Sequence, residues 1–261
     1  MGDRFQDKIV VVTGATRGIG KRLVQRFAEA GAKVAFAARR PEPVAALEAE
    51  LLAAGHDALG IAADIGKHED CGRLVRAAVD RWGTVDILVN NAGISGVQKM
   101  IKDLSLAEFD EVMRVNLYSL YSMIHFAAPH MMARQAGSIV NISSFTGKRP
   151  MAMRTSYATS KMALVGLTRT VALELAPYKI RCNAISPGPV EGQRVEEVVS
   201  ITSKARNITP DQAREMFLSW SPLHSMVTEP ELCDMVFFLC SESGRHITGQ
   251  DINMDGGIVM Y

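Results

Sequence analysis

Tyr157 and Lys161 stand four residues apart in the run TSYATSK, near the start of a stretch with helical periodicity. Side chains at i and i+4 share one face of a helix, so this spacing brings an ammonium beside a phenol. A free phenol has a pKa of about 10, too high for a base at neutral pH. A fixed positive charge nearby favours the phenolate and lowers that value, at ~1.36 kcal/mol per unit. A phenol tuned in this way can give a proton to an oxygen that is gaining charge, or take one from a hydroxyl. Ser144 lies thirteen residues before Tyr157, where an apolar run ends. Its hydroxyl could hydrogen-bond the same reacting oxygen, and Ser143 competes for that part. A Tyr-x-x-x-Lys pair alone is usually structural, so its meaning depends on its surroundings.

Those surroundings begin at Thr13 to Gly20, TGATRGIG, which follows the first apolar run and opens a helical pattern. Gly14 permits a tight turn, Gly18 lets backbone approach a phosphate, and Gly20 lets the helix pack closely on a sheet. The helix N-terminus, with its free N–H groups, then faces a pyrophosphate. The second apolar run ends AFAARR. Sites for NAD keep Asp or Glu there to hold the ribose 2′-hydroxyl. Here the position falls on Ala38, and Arg39 and Arg40 follow directly. A guanidinium binds a 2′-phosphate in a forked, charge-assisted way. Arg17, inside the glycine turn, adds a second positive charge. NADP(H) is therefore expected in preference to NAD(H), which the turn would also admit.

The elements that must position these residues show as short apolar runs alternating with helical patterns. The runs are Ile9 to Val12, Val34 to Ala37, Leu59 to Ala62, Ile87 to Val89, Ser138 to Ile142, Ile180 to Ile185 and Asp251 to Met254. Helical patterns such as Arg22 to Ala30 and Val44 to Ala53 lie between them. This rhythm predicts a single-domain α/β fold, a doubly wound parallel sheet of about seven strands with helices on both faces. Thr155 to Ala176 is apolar nearly all round, which asks for cover on every side and favours a homo-oligomer. From about 190 to 228 the strand rhythm stops. Two short helices are expected there, near Val195 to Lys204 and Asp211 to Leu218, as a lid over the site.

Across 261 residues, 29 Lys and Arg nearly balance 28 Asp and Glu, for a formal net charge of +1. That balance points away from nucleic acid as a partner. The start, MGDRFQDKIV, has no signal-peptide pattern, and Gln6 breaks the myristoylation pattern after Gly2. No apolar run approaches membrane-spanning length. Cys71, Cys182, Cys233 and Cys240 form no CxxC pair and no zinc spacing, so they read as buried thiols of a reducing, cytoplasmic setting. No metal is expected.

Taken together these residues resemble the short-chain dehydrogenase/reductase family over almost the whole chain, close to its 3-oxoacyl-acyl-carrier-protein-reductase-like members. TGATRGIG is similar to that family's TGxxxGxG turn, which places Gly14, Thr16, Arg17, Gly18, Ile19 and Gly20 against the cofactor. Asn90 to Gly93 are similar to its NNAG motif, with Asn91, Ala92 and Gly93 bordering the cofactor. Asp64 resembles the acid that contacts adenine, with Ile65 beside it. Pro187, Gly188 and Val190 resemble the loop that meets the carboxamide. One departure follows: Glu191 and Gly192 stand where a threonine is common. The resemblance implies a Rossmann-type fold, a homo-oligomer that is a tetramer or dimer, and hydride exchange between a nicotinamide and a small carbonyl or alcohol substrate. It makes Asn116, Ser144, Tyr157 and Lys161 the catalytic residues, with Asn116 ordering a relay water and Lys161 also binding the nicotinamide ribose. The contrasting reading is a non-catalytic NADP(H) sensor or regulator, which would need no proton donor.

Overall fold

Seven runs of aliphatic residues form one parallel sheet: β1 (Ile9–Thr13), β2 (Lys33–Ala38), β3 (Ala58–Ala62), β4 (Ile87–Asn90), β5 (Gly137–Ile142), β6 (Ile180–Pro187) and β7 (Asp251–Met254). They lie in the order β3-β2-β1-β4-β5-β6-β7, every neighbouring pair parallel. The structure, a computed structural model, describes residues 5–261 apart from the Ala205 side chain. Met1 to Arg4, and with them Gly2, lie outside the described residues.

Successive strand residues point to opposite faces, and both faces here are apolar. Val10 and Val12 of β1 enter one core layer, while Ile9 and Val11 enter the other. The first layer is closed by α1 (Gly18–Glu29), α2 (Pro41–Ala53) and α10 (Glu229–Cys240), through Leu23, Phe27, Leu47, Leu232 and Phe237. The second is closed by α3 (His68–Trp82), α5 (Ser119–Arg134) and α7 (Thr155–Leu175), through Leu74, Met123, Met131 and Leu175. This is the doubly wound α/β fold expected of the sequence.

The sheet is built outward from β1 in both directions, so β2 and β4 flank it and their connections leave on opposite faces. Such a switch point opens a crevice at the carboxyl ends of the strands. Two devices shape that end. A π-helical turn, Arg114–Tyr118, joins α4 (Leu106–Met113) to α5. Between β6 and α10, the chain forms α8 (Gln193–Arg206) and α9 (Pro210–Leu218) around a small core of their own, Val195, Val199, Ala213, Phe217 and Met226. One feature there had no signal in the sequence: a parallel bridge of Val190 with Val227 closes the neck of this insertion. Glu191 N donates to Val227 O at 2.8 Å, and Val227 N to Pro189 O at 2.9 Å.

Within one chain, α7 is covered on one side only. One side is buried, but Met162, Gly166, Thr170 and Leu173 form an exposed stripe. Among the described residues no helix is long and apolar enough to cross a membrane.

Candidate active site

The glycine turn has the backbone that its residues allow. Gly14 and Gly18 adopt φ of 68° and 54°, which side-chain-bearing residues rarely take. Helix α1 starts at Gly18, four residues before the periodic pattern at Arg22, because the glycines themselves make its first turn. Arg17 caps it without a side-chain hydrogen bond, and no acid sits in the first turn. The leading N–H groups are thus left for an anion. A Cβ on Gly20 would lie 2.2 Å from Gly14 O and 2.5 Å from Asn91 Nδ2, so the helix approaches the turn as closely as glycine permits. Asn91 fastens the end of β4 to the turn, donating to Thr13 O at 3.0 Å and Gly14 O at 3.1 Å. Asn90 instead faces the sheet interior and donates to Asn141 at 2.9 Å.

A cleft of about 900 Å³ runs from this turn, across the strand ends, to the underside of α8 and α9. Thr16, Arg17, Ile19, Asp64, Ile65, Ala92, Gly93, Pro187, Gly188 and Val190 line it with the turn glycines. Arg39 and Arg40 are exposed at its edge with no ion pair among the described residues. Arg17 is committed elsewhere, to Glu197 of α8 at 3.2 Å, an exposed pair of little energetic weight. Asp64 accepts from Gly66 N at 3.1 Å and faces Arg114 at 3.4 Å.

Ser144, Tyr157 and Lys161 meet in the middle of the cleft. Tyr157 is 8% exposed. Burial pushes its pKa up, yet the charges of Arg194 and Lys161, a Ser144 hydrogen bond and Arg154 outweigh it, and the phenol settles at about 8. Burial likewise brings Lys161 down to about 8, against the pull of the Tyr157 phenolate. The Lys161 ammonium lies 5.8 Å from the Tyr157 ring centre and donates to Ile142 O at 2.7 Å. Ser144 and Ser143 separate cleanly. Ser143 donates to Lys161 O at 3.1 Å, whereas Ser144 accepts from Thr146 N and turns its hydroxyl to Tyr157.

A family model described as short chain dehydrogenase matches residues 8–202. The chain belongs to the short-chain dehydrogenase family. It is 34% identical to a 3-oxoacyl-[acyl-carrier-protein] reductase of Thermotoga maritima, over 98% of this chain and 100% of that one. It is 34% identical to an uncharacterized oxidoreductase of Bacillus subtilis, over 97% and 98%. The crystal structure of an NAD+-bound xylitol dehydrogenase superposes with a TM-score of 0.91 at 29% identity, covering 97% of this chain and all of the other.

In this short-chain dehydrogenase Asn116 lies outside the cleft lining, in the π-helical turn. Its amide is fully engaged: Ile94 N donates to it at 2.8 Å, and it donates to Ile94 O at 2.9 Å and Ser160 Oγ at 3.1 Å. The missing threonine also has a structural reason. Gly192 has φ of 127°, a conformation closed to threonine, and a Cβ there would lie 3.0 Å from Glu229. Of the basic residues in the 190–228 segment, Arg194 and Arg206 line the cleft, Arg214 pairs with Glu196, and Lys204 does not reach the cleft. Arg154 and Glu229 line the cleft without having been expected from the sequence. Arg154 sits at the N-cap of α7, outside the helix whose spacing links Tyr157 to Lys161, so that rule could not have found it.

Proposed function

We propose that this dehydrogenase interconverts a carbonyl and a secondary alcohol, with NADP(H) preferred and Tyr157 as general acid and base. One observation carries the reading: a phenol buried in the cleft is nevertheless held near pKa 8. Burial alone would raise a tyrosine above its ordinary value, so the cations gathered in the cleft are what hold this phenol down. The glycine turn, the free α1 N-terminus and the cleft volume suit a dinucleotide. The absence of an acid at Ala38 and the unpaired Arg39 support a 2′-phosphate. A nicotinamide bound there supplies or takes the hydride.

The chain's own residues do the rest. Ser144 holds the reacting oxygen. Tyr157 hands a proton to that oxygen in reduction and removes it in oxidation. Lys161 holds the ribose and keeps the phenol acidic. Asn116 acts by position, fixing Ile94 and the strand-end loop. Its spent amide leaves its main chain to hold the relay water. A Cβ at Gly93 would lie 3.2 Å from Asn116 Oδ1 and 3.6 Å from Lys161 Nζ, so the two groups share one neighbourhood. Segment 190–228 serves as the lid, hinged at the Val190–Val227 bridge. The exposed apolar residues of α5 and α7, such as Tyr121 and Leu173, form the face of a homo-oligomer. Four free cysteines, their thiols pushed to about 11 or 12 mainly by burial, fit a reducing cytoplasm.

The test is consumption of NADPH with a panel of ketones and aldehydes, and its formation with alcohols, as a function of pH. Oxidation needs the phenolate, so it should rise with pH and level off above about 8. Reduction needs the phenol, so it should hold below about 8 and fall above it. Tyr157→Phe should lower kcat by ~10²–10⁴ while NADPH still binds. Ordinary turnover by that variant removes the assignment.

A further inference from the structure

Arg154 is 8% exposed, lines the cleft, and keeps its Nε without a hydrogen-bond partner among the described residues. Its guanidinium lies 4.5 Å from the centre of the Tyr157 ring. A buried guanidinium is costly to leave unpaired, and this one is held in place by strained backbone, since Met153 before it adopts φ of 66°. Arg194, from the start of α8, reaches in from the other side, its Nη2 3.4 Å from Ser95 Oγ. The charges acting on Arg154 are the Tyr157 phenol and the Arg194 guanidinium, with no carboxylate among them. Of the other acids lining the cleft, Asp64 faces Arg114, Glu229 sits beside Gly18 and Gly192, and Glu191 is exposed and pairs with neither arginine among the described residues. Lys161 gives one of its three N–H groups to Ile142 O, and the others are left for the ribose. Among the described residues, two cations beside the proton donor therefore form no ion pair with a carboxylate. The adjoining wall is apolar, with Trp220 ring centres 5.9 Å from Phe145 and 4.7 Å from Phe217.

We propose that Arg154 and Arg194 seat a compact acid group of the substrate, a carboxylate or sulfonate, so that the enzyme reduces short oxo acids to hydroxy acids. The inference rests on the dehydrogenase reading above. The guanidiniums are close to the phenol, so the acid group stands only a few bonds from the reacting carbonyl. In the step, the carbonyl carbon accepts a hydride and its π pair moves onto oxygen. That oxygen takes the Tyr157 proton, while the nicotinamide is oxidised. A forked guanidinium pair holds a planar carboxylate in one orientation.

The test uses two readouts on the NADP(H)-loaded protein. The first is kcat/KM for acetoacetate, acetonylsulfonate, methyl acetoacetate and the neutral thioester S-acetoacetyl-N-acetylcysteamine. At least one anion should exceed both neutral analogues by ~10-fold or more, as expected for a charge-assisted contact, and the better anion tells carboxylate from sulfonate. In Arg194→Gln the anion-to-ester ratio should fall towards one. Any change in Tyr157 acidity cancels in that ratio. Arg194 is exposed, so this variant stays informative if Arg154→Gln fails to fold. The second readout is calorimetric binding of butanoate against butanamide, which needs no turnover. Neutral ketones turned over with no preference for anions overturn the seat and leave the dehydrogenase reading standing. Butanoate binding that depends on Arg194, with no turnover of any carbonyl, supports the seat and overturns the dehydrogenase. Weaker NADPH binding in Arg194→Gln with an unchanged ratio assigns the residue to the cofactor and overturns the seat.

Discussion

At Tyr157 two opposing effects meet. Burial alone would raise the phenol above its ordinary pKa, and three cations with one serine bring it to about 8 instead. The i, i+4 lysine is the cation that spacing reveals, but Arg194 acts more strongly. It stands 37 residues further along, on an inserted helix, where no periodicity could connect it to the phenol. Arg39 is a different case, since its place after β2 is enough, from sequence alone, to propose it as the partner of a 2′-phosphate. Arg39→Asp should exchange a partner of the 2′-phosphate for a repelling charge. The ratio of kcat/KM for NADPH over NADH should fall by ~10- to 100-fold, the range of one or two charge-assisted hydrogen bonds. A ratio that stays put would show that Arg39 does not read the cofactor.

Among the elements, α1 shows where periodicity stops being informative. Its apolar pattern starts at Arg22 because the preceding glycines carry no side chain to count, yet the helix starts at Gly18. The contact of Gly20 with Gly14 O explains why those positions are glycine. Gly20→Ala should cost ~1–3 kcal/mol by overpacking. That lowers the melting temperature by roughly 2–4 °C per kcal/mol in a chain of this size, and it should weaken NADPH binding as the turn shifts. Thermal denaturation with and without NADPH reads both, and an unchanged melting curve would contradict the close packing. The π-helical turn was not legible. It carries Asn116, whose amide reaches the main chain of Ile94, a contact across two elements.

For the whole molecule, the exposed side of α7 bears on assembly. Leu173 is 79% exposed on the same sheet face as Tyr121 of α5. If a second subunit covers this face, light scattering should give a multiple of the chain mass, and Leu173→Asp should shift it towards the monomer. A monomeric parent would remove the oligomer proposal. An all-round apolar pattern could not tell a helix buried within one chain from one half covered by a partner, because both hide the same residues from water.

By itself the sequence determined the seven strands, their parallel order of α and β units, the glycine turn, and the Ser-Tyr-Lys set. Each of these is local: a run of β-branched residues, a φ only glycine tolerates, a spacing that shares a helix face. The tertiary structure decided which cations surround the phenol, that Ser144 and not Ser143 faces it, that the Asn116 amide bonds the main chain of Ile94, and that Arg154 has no counterion among the described residues. Those facts depend on distances between segments far apart in the chain. Such distances are set by how two core layers pack on one sheet and by where the 190–228 insertion closes its neck.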